Sequence, residues 1–178
     1  MYTEFQKLQS AVRLPSAEQA LAAFKDIADL NARYEGKYDN ILHYMISAFE
    51  SEHLRISDFE ALIELGVDVN ARDKEGQTPL HYTTLYPNFE LAELLINHAA
   101  DIHAEDKMGN TVLWRAVKNY RGEKALLDII LLLLKKGADI DKKNNYDRSS
   151  RDMIEDRKAN VTSGKAESDL SEALKAYL

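Results

Sequence analysis

The side chains able to do chemistry are few. Five histidines, His43, His53, His81, His98 and His103, are the candidates for proton transfer or metal ligation, and the chain has no cysteine. Imidazole titrates near neutral pH and binds zinc through either ring nitrogen, so the spacing of these residues decides what they can do. None of them forms an HExxH or another tight ligand pair. His98, His103, Glu105 and Asp106 are close in sequence, but a helix end and a turn separate the two histidines, which works against convergence. No GxxxxGK[ST], GxGxxG or GxSxG pattern occurs, so a phosphate cradle and a nucleophile elbow are absent as well. Without thiols there is neither a disulfide framework nor thiolate nucleophile. The residues point to no enzyme, no metal and no cofactor.

The elements that would position these residues are clearest between Asp73 and Ala104, DKEGQTPLHYTTLYPNFELAELLINHAADIHA. Gly76 suits a turn, Thr78 can cap a helix with Pro79 at its first position, and Leu80 begins an apolar face. Leu91, Leu94 and Leu95 supply a second apolar stripe at helical spacing. A unit of two short helices cannot cover both its apolar faces alone, so it must stack on similar units. The chain carries them: His81 of TPLH corresponds to His43 of NILH, to Trp114 of TVLW and more weakly to Asp152 of SSRD, at intervals of 38, 33 and 38 residues. Each copy closes similarly, with GVDVNARD at 66–73, AADIHAED at 99–106 and GADIDKKN at 137–144.

The GxTPLH start, the LLxxGAD close and the period near 33 resemble ankyrin repeats, over about Glu35 to Ile154. The resemblance implies an all-α solenoid of stacked helix-turn-helix units with helical N- and C-terminal caps. As one domain the chain divides into capping helices at 1–35, repeats at 36–72, 73–105 and 106–143, and a degenerate repeat with C-terminal cap at 144–178. It also implies that His43 and His81 hydrogen-bond neighbouring turns, a structural role, and that Trp114 departs from the pattern, either filling space near Tyr146 or His81 or anchoring a partner.

In chain order, a short helix over Thr3 to Val12 precedes a second, capped by Ser16 with Gln19, whose stripe Leu21, Phe24, Ile27 and Leu30 runs to about Tyr34. These two helices do not match the repeat and are expected to cover one end of the core. The first repeat has Tyr38 where the family turn has glycine, and Ser57 with Glu60 reads as a capping box for its second helix. Its five extra residues fall ahead of Ser57, within Ala48 to Ile56. The third repeat also has five extra residues, in a loop or in a longer helix over Ala125 to Lys136. Ala159 to Lys165 reads as a loop, and Ser168 caps a last helix carrying Leu170, Leu174 and Leu178.

With 178 residues and 45% hydrophobic composition the chain suits one continuous core. Its net charge of −7 argues against a nucleic-acid backbone as main partner and toward basic protein groups. The charge is uneven, with net −8 over residues 1–134 and net +3 over 135–165. The N-terminus lacks a secretory pattern and the longest apolar stretch, Ala125 to Leu134, is about half a bilayer span, so a cytoplasmic protein without membrane contact is expected.

In proteins of the resembled family, partners dock on the projecting turns and the exposed side of the inner helices. Carried over, the turn positions are Arg72, Lys74, Glu75 and Gln77, then Glu105, Lys107, Met108 and Asn110, then Lys143, Asn145, Tyr146 and Arg148. The inner-helix positions are Ser47, Ala48, Leu85, Tyr86, Lys118 and Asn119. Tyr86, Met108 and Tyr146 are the apolar candidates, since aromatic residues and methionine are enriched at interface centres. Two readings follow: a monomeric module that binds and blocks one protein partner, as toxin-neutralising immunity proteins do, or an adaptor that joins two partners. Folding and binding are expected to need no metal. Elemental analysis should find no stoichiometric metal, and chelation should leave the circular dichroism spectrum unchanged.

Overall fold

A computed structural model describes residues 3–34, 39–49, 54–159 and 170–177. Tyr38, His53, part of the Ala48 to Ile56 insertion, the Ala159 to Lys165 loop beyond its first residue, Ser168 and Leu178 lie outside the described residues. Among the described residues there is no strand; the helices are α1 (Glu4–Ala11), α2 (Ala17–Lys25), α3 (Ile41–Ala48), α4 (Ile56–Glu64), α5 (Pro79–Tyr82), α6 (Phe89–Asn97), α7 (Val112–Asn119), α8 (Lys124–Lys135) and α9 (Ser150–Ala159), and residues 170–173 are helical as well. They stack in two layers. The inner layer runs α1, α3, α5, α7, α9 and the outer layer α2, α4, α6, α8, each helix touching the next in its own layer.

The layering follows from where the apolar residues fall. Leu42 and Met45 of α3, Leu80 of α5, Leu113 and Val117 of α7 are fully buried from the inner side, and Phe59, Leu62, Leu91, Leu95, Ile130 and Leu133 from the outer side. Each such side chain contributes about 1.5–3 kcal/mol by leaving water. Because each helix has only about one to three turns, no pair holds enough apolar surface to stand alone. The core is therefore continuous along the stack, from Leu8 at one end to Ile154, Leu170 and Leu174 at the other.

Helix starts are set by short polar side chains. Ser16, Asn40, Asn88 and Thr111 each accept a hydrogen bond from a first-turn N–H of α2, α3, α6 and α7. Helix α4 differs from the expected Ser57 cap, because Ser57 lies inside it. Its start is held instead by buried Asp58, whose carboxylate accepts from the Arg55 backbone N–H at 3.0 Å and from the Arg55 guanidinium at 2.9 Å. Arg55 also donates to the carbonyl oxygens of Leu14 and Pro15, at 3.4 and 3.1 Å, which pins the first helix pair to the first repeat. A charge-assisted pair that reaches a neighbouring element outcompetes a local serine.

Helix α2 is also shorter than its apolar stripe and ends at Lys25, so Ile27 and Leu30 pack on the core from non-helical chain. The reason lies in residues 28–33, ADLNAR, which align with VDVNAR at 67–72. The same loop follows every outer helix: Asp29, Asp68, Asp101 and Asp139 each accept a hydrogen bond, at 2.8 or 2.9 Å, from the backbone N–H two residues on. Asn31 bonds the Gly66 carbonyl and the Asp68 N–H across the stack, as Asn70 bonds those of Ala99 and Asp101. The loop that follows the N-terminal pair thus takes the same form as those that follow the outer helices of the repeats.

The insertions resolve differently. Helix α4 has nine residues, the same as α6, so the first repeat's extra residues precede it. In the third repeat helix and connection share them: α8 has twelve residues, three more than α6, and starts two residues later relative to Trp114 than α6 does relative to His81.

The turn tips stack directly. Lys107 N–H donates to the Glu75 carbonyl at 2.9 Å, and Asn145 N–H to the Met108 carbonyl at 3.0 Å. Gly109, at φ +73°, lies under this contact, and a Cβ there would sit 2.6 Å from Asn145 Oδ1 and 2.9 Å from its backbone nitrogen. Gly137, at φ +93°, has open space around the same position. Gly109→Ala should therefore cost more in urea unfolding than Gly137→Ala, by about 1–3 kcal/mol on top of a shared left-handed backbone penalty of similar size.

Candidate functional site

The turns and inner helices are built by one recurring device. Asp73, Asp106 and Asn144 are buried at the start of successive turns, and one side-chain oxygen of each accepts from two backbone N–H groups, two and four residues on, at 2.7–3.1 Å. This folds each tip into the same shape. The second oxygen is held from the inner helix nine residues later: the Tyr82 hydroxyl donates to Asp73 at 3.1 Å, and Arg115 donates from Nε at 2.8 Å and from its terminal nitrogen to Asp106. Burial pushes the Asp106 carboxyl up, but hydrogen bonds from Asn110 and Arg115 outweigh it and hold the group below its ordinary value. Burial, with the negative charges of Asp39 and Asp73, pushes the Tyr82 phenol up.

The two histidines link each inner helix to the turn that follows. Nδ1 of His43 accepts from the Asn40 N–H and Nδ1 of His81 from the Thr78 N–H, both at 3.2 Å, and the opposite ring nitrogens meet the carbonyls of Gln77 and Asn110 at 3.1 and 3.4 Å. Both imidazoles are fully buried and must be neutral to play both parts, Nδ1 accepting and Nε2–H donating. Burial lowers both pKa values, and that of His81 to about 4. Among the described residues no group of three His, Asp or Glu side chains comes together as a metal site.

Trp114 breaks this ladder. Its ring is 9% exposed, its backbone N–H is capped by Thr111 at 3.1 Å, and the Lys118 ammonium lies 4.8 Å from the ring centre. Its indole N–H has no hydrogen-bond acceptor among the described residues. The missing bridge is replaced at the tips, where Asn144 donates to Asn110 Oδ1 at 2.6 Å and Asn145 to the Lys107 carbonyl at 3.1 Å.

The expected contact residues separate into two groups. Lys74, Glu75, Lys107, Lys118, Leu85, Tyr86, Met108 and Tyr146 are exposed. Tyr86, Met108 and Tyr146 are 48, 42 and 64% exposed, and the Tyr146 hydroxyl donates a weak hydrogen bond to Met108 Sδ at 4.0 Å, so two adjacent tips touch through their side chains. Asn110, by contrast, is 5% exposed and bonds Asp106 as well as Asn144, which makes it part of the frame. Ala48 is buried. Asn119 is half-buried and donates to the Thr84 carbonyl at 3.1 Å, tying α7 to the chain after α5. Gln77 is half-buried, and Glu105 already pairs with Lys142 at 2.9 Å.

Leu85 and Tyr86 do not lie on an inner helix. Helix α5 ends at Tyr82, where the hydroxyls of Thr83 and Thr84 bond back to the Leu80 and His81 carbonyls, both at 2.8 Å. Hydroxyls competing for helix carbonyls are a known cost to helix continuation. The chain therefore turns at residues 83–87 and presents Leu85 and Tyr86 beside the end of α3, where they line a cavity of about 390 Å³ with Ser47, Phe49 and Pro87. Nothing in the residue types or spacing of this stretch marks the cavity, which forms only where the turn meets the end of α3.

A family model described as ankyrin repeats, in three copies, matches residues 42–144. The chain is 39% identical over 84 residues to the ankyrin repeat domain-containing protein 13B of Homo sapiens, covering 47% of this chain and 12% of that protein. It is 40% identical over 70 residues to an ankyrin repeat and LEM domain-containing protein 1 homolog of Caenorhabditis elegans, covering 39% and 10%. Over 96 residues it is 35% identical to the transient receptor potential cation channel subfamily A member 1 of Homo sapiens, covering 54% and 8%. The chain spans about a tenth of the length of these curated relatives. Among the described residues no helix is long and apolar enough to cross a membrane.

The neutral state of the two buried histidines gives a signed expectation. The folded chain binds no proton at His81 until about pH 4, whereas the unfolded chain does so near pH 6.5, so stability is full above pH 6.5 and falls as the pH drops toward 4. The loss should approach about 3 kcal/mol from this residue. Urea midpoints measured at pH 7 and pH 4.5 should show it, and His81→Gln, though less stable at pH 7, should lose less between the two.

Proposed function

Since the chain belongs to the ankyrin-repeat family, we propose that it binds one protein partner across the tips and inner face of its second and third repeats and blocks that partner, as an immunity-type inhibitor does. Ankyrin repeats serve as protein-interaction modules rather than as catalytic centres, which is the coarser statement behind this reading. The observation that carries it is the tip-to-tip hydrogen bonding of residues 75 with 107 and 108 with 145, which holds Glu75, Lys107, Met108 and Tyr146 in fixed register. A surface ordered before binding loses little entropy on association, so modest contacts suffice for specific affinity.

Within this face Tyr86 and Met108 supply apolar anchors, Glu75 meets basic groups, and Lys74, Lys107 and Lys118 meet acidic ones. Mixed charge of this kind favours selectivity over bulk attraction. The proposed setting is the cytoplasm, where a chain without cysteine loses nothing to a reducing medium.

Calorimetric titration with the partner recovered from the native source checks the face. Tyr86→Ala should weaken binding by about 1–3 kcal/mol with the fold intact. Glu60→Lys, on the exposed side of outer helix α4, should change it little. The reverse pattern would place the contact on the outer helices. A complex in which the bound partner keeps its own activity would refute blocking and leave the adaptor reading.

A further inference from the structure

Asparagine joins the loops that follow the outer helices. The Asn31 amide donates to the Gly66 carbonyl at 3.2 Å while its oxygen accepts from the Asp68 N–H at 2.7 Å, and Asn70 makes the same two bonds to Ala99 and Asp101, at 3.1 and 2.8 Å. The next residue in this register is His103, and the corresponding groups of the following loop are the Gly137 carbonyl and the Asp139 N–H. Neither of these groups, nor the exposed His103 ring, has a hydrogen-bond partner among the described residues. The loop backbone keeps its form, since Asp139 accepts from the N–H two residues on as Asp68 does, and Gly137 at φ +93° matches Gly66 at φ +97°. The difference is chemical. Imidazole sets a nitrogen where the asparagine oxygen stands but a carbon where the amide nitrogen stands, so it cannot make both bonds at once.

A second crossing is lost at the same interface. Arg33 and Arg72 donate to the carbonyls of Arg72 and Glu105, at 2.6 and 2.5 Å, whereas Glu105, next in that register, turns its carboxylate to Lys142 at 2.9 Å. Between the two loops lies a cavity of about 170 Å³, whose lining includes Ile102, His103, Ala138 and Asp139. We propose that this cavity takes a primary carboxamide, the side chain of an asparagine or glutamine on the protein partner, its oxygen accepting from the Asp139 N–H and its nitrogen donating to the Gly137 carbonyl. The chain itself makes this fit twice, at Asn31 and Asn70. A carboxylate cannot donate and an ammonium cannot accept, so an acceptor and a donor side by side select the amide. Gly137 and Asp139 are exposed, so water competes for both groups, and the contact adds a preference for the amide more than it adds affinity. The proposal rests on the interaction reading above and carries its surface from the tips to the loops that lead into them.

Asp101 and Asp139 both follow alanine, so neighbouring side chains affect the exchange of their amides equally and Asp101 serves as the internal standard. NMR on the full chain should show the Asp139 N–H exchanging with water about tenfold or more faster than the bridged Asp101 N–H. His103→Asn should slow it to the Asp101 rate and raise the urea midpoint, whereas His103→Leu, of similar shape, should do neither. In trans, the probe is a capped Ala-Asn-Ala peptide ending in a methylamide, beside twins with aspartate or leucine at the centre. At tens of millimolar the asparagine peptide should shift the Asp139 N–H resonance about fivefold more than either twin, and His103→Asn should abolish that difference. Equal exchange at Asp101 and Asp139, no slowing by His103→Asn, or equal shifts from the asparagine peptide and either twin would overturn the proposal. These outcomes leave the tip-binding reading standing, because that reading is decided by Tyr86→Ala with the native partner.

Discussion

A buried oxygen at the start of each turn, from Asp73, Asp106 or Asn144, holds two backbone N–H groups that would otherwise be unsatisfied away from water. Everything that projects from the stack depends on that bond. It gives successive tips one shape, and only tips of one shape can hydrogen-bond one another through the carbonyls of Glu75 and Met108. It also fixes where each inner helix begins, because the chain leaves the tip through the cap residue of α5 or α7. Losing such an oxygen takes the acceptor from two backbone donors that are for the most part partly buried, and the damage passes to the neighbouring repeat.

The links between repeats are redundant but not uniform. His43 and His81 bridge to the next turn through neutral imidazole, whereas at Trp114 the bridge is gone and an amide pair at Asn110 and Asn144 serves instead. Tyr82 and Arg115 do the same work for Asp73 and Asp106 with different chemistry, one a neutral donor and the other a charged one. In a one-dimensional stack each interface is set by its two neighbours, so such exchanges remain local. The result is a regular frame whose exposed residues differ from repeat to repeat. Apolar groups collect at Tyr86, Met108 and Tyr146, and the first repeat meets the N-terminal helix pair through the edge-to-face contact of Phe5 with Tyr44.

The fold was largely legible in the sequence because a repeat is a local pattern written several times. The TPLH start, the Gly-x-Asp close and their spacing specify helices, turns and stacking partner together, and the family match over residues 42–144 agrees. The loop ADLNAR at 28–33 resembles VDVNAR at 67–72 and folds in the same way, with Asp29 and Asp68 each bonded by the backbone N–H two residues on. The exposed tips at Glu75, Lys107, Met108 and Tyr146 were legible for the same reason.

What the sequence could not decide was the fate of residues whose partners lie in another repeat. Asn110 has the position of a tip residue, yet it is buried because Asn144, 34 positions on, offers its amide. Ser57 has the pattern of a cap, but Asp58 takes that role because Arg55 reaches back to Leu14 and Pro15. Helix α5 stops at Tyr82 through local threonine bonds, but that the freed Leu85 and Tyr86 then line a cavity with Ser47 and Phe49 of the first repeat was not legible locally. By itself the sequence determined the elements, their order and their register, since propensity, capping and period act over a few residues. Burial, the choice between rival hydrogen bonds and the ring contact of Phe5 with Tyr44 were decided only by the tertiary structure, because each depends on distances between residues some 30 to 40 positions apart.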